Sequence, residues 1–350
     1  MYYYSNEIVF KGHPDKVADQ ISDAIVDEML KVDPNSRCAI ETVGGKGKIF
    51  ITGEVSNLDK LTTPVESIVR SVLADVGYDP TKYEIIVNLG NQSADIALGV
   101  DDGGAGDQGM MFGYACRDTE DYIPKAQYIL QNLSKRYSEL VKTDNRFLAD
   151  GKAQITGVYS DAGELKRISD FTISYQNTEE EREETDNIMS GIAMELADKV
   201  GVAIDCFHIN PTGKFLIGGF EGDSGLTGRK IVVDSYESFS RVGGGAFSGK
   251  DATKVDRSAA YKARQIAIRT LLEHPRLKWC EVQIAYAIGL AYPLSIYIRT
   301  NKGMIEPNPE LYTECQVKSI IDELKLGKPI FRNTAMYGHF GHPEFPWEIR

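Results

Sequence analysis

Apolar residues at Val17, Ile21, Ala24, Ile25 and Met29 recur at helical spacing between acids, and Pro14 suits a first helical position. An amphipathic helix is therefore expected from about His13. Strand-like runs follow at 38–43 and 48–55, with a turn at Gly44-Gly45-Lys46-Gly47 between them, then a helix at 65–76 and a strand at 83–89. The middle of the chain predicts a helix at 124–141, strands at 154–159 and 167–175, and a helix opened by the acidic run 179–186 and continuing to Val200. Further on, Ile231-Val232-Val233 reads as a short strand. Residues 255–272 read as an amphipathic helix with Thr253 and Asp256 placed like a capping box. Strands at 280–287 and 295–299 and a helix at 309–324 complete the pattern. Strands and helices come in blocks, so an α+β fold with helices on one face of mixed or antiparallel sheets is expected in preference to a doubly wound parallel sheet.

The 350 residues suffice for two or three domains, and 42% hydrophobic with 26% charged residues is ordinary for a globular chain. A net charge of −12 argues against nonspecific nucleic-acid binding and against an anionic membrane surface. The N-terminus has neither a basic segment nor an apolar one, and no later run is long enough to span a bilayer, so a cytoplasmic protein is expected. The five cysteines show no Cys-x-x-Cys, and the five histidines form no His-Glu-x-x-His. Reduced, mostly buried cysteines and no zinc site are the expectation.

Candidate chemistry concentrates between Asp223 and Tyr261. Gly243-Gly244-Gly245 and Gly249-Lys250 let backbone approach a ligand closely, and Lys250 and Lys254 bring charge there, a combination suited to a polyphosphate. The Walker A loop is rejected, because Asp251 stands where Ser or Thr must hold magnesium and the preceding apolar run is too far upstream. A Gly-rich hinge with solvated lysines is the alternative. From Arg241 to Arg264 the chain carries Arg241, Lys250, Lys254, Arg257, Lys262 and Arg264 against Asp251 and Asp256 only, which favours a small anion. His13 and Asp15 stand at a helix N-terminus, where free N–H groups receive anions, although an acid there also simply complements the helix dipole. Phe215, beside Gly218 and Gly219, reads either as core or as a stacking surface for a planar base. Glu41 and Glu54 fall on predicted strands, where an exposed sheet face alone would account for them. The Gly-rich segment 99–109 is expected to be a mobile loop of the kind that gates sites. A weak echo links Gly106-Asp107-Gln108-Gly109 to Gly222-Asp223-Ser224-Gly225, either by chance or as a reused structural unit.

Taken together, Gly12-His13-Pro14-Asp15-Lys16, the 104–109 segment ending Asp107-Gln108-Gly109, the 222–230 segment ending Arg229-Lys230, the 243–258 segment, and the ending Tyr337 to Gly341 with Phe345 to Glu348 resemble the S-adenosylmethionine synthetase (methionine adenosyltransferase) family almost from end to end. The resemblance implies an α+β fold of three similar domains around a pseudo-threefold axis, divided near 1–100, 104–219 and 220–350. It implies that the methionine sulfur attacks C5′ of ATP and that the displaced triphosphate is hydrolysed to diphosphate and phosphate. By similarity, Asp15 and Asp256 hold two Mg²⁺ ions and Glu41 holds K⁺. Lys152, Arg229, Lys230, Lys250 and Lys254 surround the triphosphate, and His13 lies near the C5′ oxygen. Lys214 and Phe215 fall at the nucleotide, with Phe215 against the adenine, while Asp150 and Asp223 hold the nucleoside and the methionine. Glu54, Gln92 and Asp107 fall at the methionine. A homodimer or dimer of dimers with shared sites is implied. Three departures stand out: Phe10-Lys11 replaces the usual Ser-Glu, the loop after Gln92 is short, and Lys214 replaces Arg. Phe10-Lys11 is expected to affect nucleotide handling or subunit contact. Another Mg²⁺-ATP enzyme, or a noncatalytic paralogue serving as a partner subunit, is the alternative.

Overall fold

The computed structural model describes residues 1–91 and 103–348. Gln92 and the first part of the Gly-rich segment lie outside the described residues. Among the described residues, three sheets carry the fold, and each takes a strand from a distant part of the chain. In the first, β2 (Cys38–Gly45) pairs antiparallel with β3 (Lys48–Val55), β3 pairs parallel with β4 (Glu84–Asn91), and the two-residue β10 (Gly225–Leu226) borders β2. The second is built on a long hairpin, β6 (Phe147–Tyr159) and β7 (Leu165–Asn177). N-terminal β1 (Tyr2–Val9) flanks that hairpin on one side, and the short parallel strands β8 (Ala203–Ile204) and β9 (Phe207–Ile209) flank it on the other. In the third, β5 (Gly109–Cys116), β11 (Trp279–Tyr286), β12 (Ser295–Thr300) and β13 (Gly303–Ile305) run antiparallel.

Helices cover one side of these sheets, as the block pattern predicts. Helices α1 (Pro14–Val32) and α2 (Val65–Val76) pack on the first sheet and α3 (Lys125–Thr143) on the second, with α4 (Arg182–Lys199) against α3. Helix α5 (Val255–Glu273) packs on β5 and β11, and α6 (Phe331–Tyr337) lies along α1. One apolar cluster joins the first and third sheets, and a second fills the space under the hairpin sheet. No helix among the described residues is long and apolar enough to cross a membrane.

The structure corrects four local expectations. Ile231–Asp234 is a helical turn, because Asp234 is drawn inward to the buried Lys16. The capping box is not formed: Thr253 donates its backbone N–H to Asp251 at 2.8 Å, and the Asp256 carboxylate turns to Lys250. The expected 309–324 helix is two pieces, Glu310–Glu314 and Val317–Glu323, separated where Cys315 is buried and Gln316 is extended.

The fourth correction concerns α1. Asp15, Asp19 and Asp23 are buried and Asp27 is half-buried, while Glu28 stays partly exposed beside Lys31. Asp15, Asp19, Asp23 and Asp27 stand one turn apart, and each accepts backbone N–H groups from a distant segment: Leu226 at 2.9 Å, Gly228 at 2.8 Å, Gly249 at 2.8 Å, and both Phe331 and Arg332 at 2.9 Å. An aspartate that accepts otherwise unpaired N–H groups is stable inside, and here it is also the device that gathers the C-terminal third of the chain onto α1.

Candidate functional site

The candidate residues assemble at two poles, one at the N-terminus of α1 and one at that of α5. At the first, His13 is the N-cap residue and its Nδ1 accepts the Asp15 N–H at 3.2 Å. That leaves the ring proton on Nε2. Burial, reinforced by the charges of Lys230 and Lys152, pushes the His13 pKa down to about 4, so the imidazole is neutral at pH 7. Asp15 is only 2% exposed. Burial pushes its carboxyl upward, but Lys230 at 2.5 Å, the Leu226 N–H and the surrounding positive charge outweigh this and hold it below the usual carboxylate range. Arg229 adds a contact at 3.5 Å. Strand β10 comes this close because it begins with glycine: a Cβ on Gly225 would stand 2.2 Å from the Pro14 carbonyl oxygen.

Strand β6 brings Asp150 and Lys152 to the same pole. Asp150 accepts the Gly219 N–H at 2.8 Å, and burial raises its pKa to about 6, with Asp223 also pushing upward while N–H donors and Lys152 pull down. Asp223 is exposed and accepts the N–H of Ser224 at 2.8 Å. Half-buried Phe215 is held beside the end of β7, where its carbonyl accepts the Asn177 N–H at 3.0 Å. Lys214 is turned to Glu179, at 3.4 Å.

At the second pole, Gly249, Lys250 and Asp251 run along the stretch of the β2 edge that β10 leaves uncovered: the Ile40 N–H donates to the Gly249 carbonyl at 2.9 Å, and Ala39 bridges Lys250. Lys250 pairs with Asp256 at 2.7 Å, and Lys254 with Asp251 at 2.6 Å. Glu41, on β2, is pushed upward by burial and pulled down by the charge of Lys250. Glu54 on β3 lies opposite Ala39. Asp107 is exposed two residues before Gly109, whose missing Cβ would lie 3.6 Å from the Asp256 carboxylate. The poles are separated by two turns of α1, the two steps from Asp15 to Asp23, or about 12 Å.

Sequence reasoning missed Asp23 and read Arg257 as one of the cations facing a small anion, whereas the two form the joint that sets the second pole. Asp23 and Arg257 are wholly buried and joined by two bonds of 2.6 and 2.8 Å. Asp23 also accepts the Gly249 N–H, and Arg257 donates to the Lys250 carbonyl at 3.0 Å. One buried ion pair thus fixes the backbone on both sides of the Gly249–Lys250 bond. The signal was present: acids at every fourth residue of α1 were visible, but a solvated face explained them equally well. Phe10-Lys11 does not reach the site. Phe10 is buried against Tyr137 with centroids 4.6 Å apart, and Lys11 pairs with Asp75 of α2 at 2.6 Å.

The donor sets fit the ions that the resemblance implies. Asp15, Asp256 and Glu41 offer hard carboxylate oxygens, donors that suit a hard cation such as magnesium. The Asp256 carboxylate also lies against bare backbone: a Cβ on Gly245 would stand 2.0 Å from its carboxyl carbon. Acids with lysines beside them suit a metal and an anion bound together, since each brings the charge the other set needs. A cavity of about 570 Å³ between β5, β11 and the hairpin sheet is lined by Arg117, Lys125 and Trp279 among others, and by none of the candidate residues.

Profiles of the S-adenosylmethionine synthetase N-terminal, central and C-terminal domains match residues 1–96, 102–215 and 217–349. The chain belongs to the S-adenosylmethionine synthetase family. It is 41% identical to an S-adenosylmethionine synthase of Staphylococcus epidermidis over 380 aligned positions, covering 99% of this chain and 94% of the relative. Synthases of the same name from Clostridium botulinum and Clostridium tetani are 42% and 41% identical over 383 positions, each alignment covering 99% of this chain and 96% of the relative.

Proposed function

We propose that the chain is a methionine adenosyltransferase, which moves the adenosyl group of ATP to the sulfur of L-methionine and hydrolyses the released triphosphate to diphosphate and phosphate. The observation that carries the reading is the pair of helix N-termini, each presenting a carboxylate beside a lysine. In the transfer, a lone pair of the thioether sulfur forms the bond to C5′ while the C5′–O5′ bond breaks and the triphosphate leaves with its electrons. No proton is taken from the nucleophile, so no base is required. Charge develops on O5′, and the neutral His13, with its proton on Nε2, is suited to donate a hydrogen bond there. Lys152, Arg229, Lys230, Lys250 and Lys254 hold the phosphates. Phe215 packs against the adenine, with Lys214 at its edge. Asp150 and Asp223 orient nucleoside and amino acid, and Glu54, Gln92 and Asp107 hold methionine. Magnesium bound at Asp15 and Asp256, with potassium at Glu41, supplies neutralisation of the polyphosphate charge.

The working unit is at least a homodimer with a cytoplasmic location. Val43, Phe50 and Ile86 lie side by side in register across β2, β3 and β4, all exposed, on the face that also carries Glu41. A second copy on that face buries the apolar row and brings the α1 pole of one chain to the α5 pole of the other. The test incubates the full chain with ATP, methionine, Mg²⁺ and K⁺. S-adenosylmethionine with equal phosphate and diphosphate supports the reading, whereas ADP as the nucleotide product overturns it.

A further inference from the structure

We infer a second cation site, for a thiophilic divalent ion such as Zn²⁺, formed by Asp170, Cys206 and His208 on the outer face of the hairpin sheet. The parallel pairing of β9 with β7 sets Phe207 opposite Phe171 and His208 opposite Thr172. Side chains alternate along a strand, so the stacked rings of Phe171 and Phe207 point into the core while Asp170, Cys206 and His208 share the opposite face. Asp170 Oδ1 lies 2.9 Å from His208 Nε2, Cys206 Sγ lies 3.8 Å from the same nitrogen, and all three ligand atoms fall within 4.8 Å of one another. Around a tetrahedral zinc, bonds of 2.0–2.3 Å put neighbouring donors about 3.3–3.7 Å apart. Only small side-chain rotations separate the two arrangements.

The backbone beneath is already fixed. The Cys206 carbonyl accepts the Phe171 N–H at 2.9 Å, and the Asp205 N–H donates to the Ile168 carbonyl at 2.9 Å. An Asp–His contact alone would be an ordinary surface pair. What distinguishes this one is that Cys206, the single exposed cysteine of the five, stands beside it. Sulfur, nitrogen and oxygen donors together select zinc-like ions over magnesium, and three protein ligands leave a fourth position for water. Sequence spacing could not reveal the set, because Asp170 arrives from a different strand. The site is separate from the adenosyl-transfer poles: Asp170 pairs with Thr156, four residues along β6 from Lys152, or about 13 Å. Binding releases the Cys206 thiol proton to solvent, and the ion clips the short edge strand β9 onto β7.

The test titrates the metal-free full chain with Co²⁺ and follows thiolate-to-cobalt absorption, then displaces the cobalt with Zn²⁺. One cobalt per chain is expected, with the band lost in Cys206→Ser and affinity lowered at least about tenfold in both Asp170→Asn and His208→Asn. Zn²⁺ should raise the unfolding midpoint of the wild type but not of Cys206→Ser, and adenosyl transfer with Mg²⁺ should be equal in the two. Absence of the thiolate band overturns the site. A band whose affinity ignores both Asp170→Asn and His208→Asn also overturns it, since an exposed thiol alone would then be binding the ion.

Discussion

Helices α1 and α5 are built to one plan and finished differently. Each has 19 residues, with an aspartate at the second helical position (Asp15 and Asp256) and a fully buried cation next to it (Lys16 and Arg257). The N-cap residues, His13 and Lys254, are both nucleotide-binding candidates. Each helix start lies against the glycine that opens a strand, Gly225 of β10 on the Pro14 carbonyl and Gly109 of β5 by the Asp256 carboxylate, and those two glycines end the two copies of the Gly-Asp-x-Gly echo. In both copies the aspartate accepts the N–H of the residue after it, at 2.7 Å for Asp107 and 2.8 Å for Asp223. The difference lies in burial. Asp15 is tied to a backbone N–H and two cations, whereas the Asp256 side chain is 22% exposed and pairs with Lys250. The first pole doubles as a structural joint. The second holds its charge at the surface, facing whatever docks there.

Substitutions should separate these roles. Asp256→Ala and Lys250→Ala are expected to lower turnover by about 10²–10³ or more, by removing charge aimed at the polyphosphate, while unfolding free energies from urea titration stay within about 0.5 kcal/mol of wild type. Asp15→Ala should lose activity equally and also about 1–3 kcal/mol of stability, because the Leu226 N–H and Lys230 lose their acceptor. Equal stability losses at the two aspartates would erase the contrast.

Next in size is Arg257→Met, which strands Asp23 in the core and should cost about 3–5 kcal/mol. The double change Asp23→Leu with Arg257→Met should recover much of that stability but not the activity, because Gly249 and Lys250 lose their anchor. Recovery of both would show that the pair does not position the loop.

Mixing Asp15→Ala chains with Lys250→Ala chains tests whether the poles meet across a subunit boundary. Random exchange gives half heterodimers, each with one intact composite site, so about a quarter of wild-type activity should return. No recovery after demonstrated exchange would place both poles in one chain's site.

The smallest expected effect is on pH dependence. The folded-state pKa of His13 is depressed to about 4, so between about 6.5 and 4 the unfolded chain takes up a proton that the folded chain refuses, and stability falls as pH falls. His13→Asn keeps a good N-cap and removes this loss. It should match wild type at pH 7 and exceed it at pH 5 by on the order of 1–2 kcal/mol, read from urea midpoints. A constant difference across that range would mean that the imidazole is not the group responsible.

Local signals made most of the architecture legible. The predicted β2–β3 hairpin with its turn, the α1 start at Pro14 and the β11 and β12 segments all follow from periodicity and punctuation. The Ile231 turn went unread because three apolar residues have no distinguishable period, and the capping box failed because Asp251 outcompetes Thr253 for the turn. At the site, the glycines and lysines between Asp223 and Lys254 were legible as anion chemistry. Asp23 and Asp19 were not, since an acid on a helix looks the same whether water or a backbone N–H satisfies it.

Element types, the anion-seeking stretch and the family follow from sequence alone, because these depend on residue kinds at short, regular spacings. Only the folded chain decides that Asp15, Asp19 and Asp23 of α1 are buried, that Phe10 packs on Tyr137 of α3 and Lys11 pairs with Asp75 of α2 instead of reaching the site, and that Asp170 joins Cys206 and His208. Those outcomes rest on which distant segment supplies the missing hydrogen-bond partner. A residue's pattern shows that it needs one, and only the folded chain settles which segment provides it.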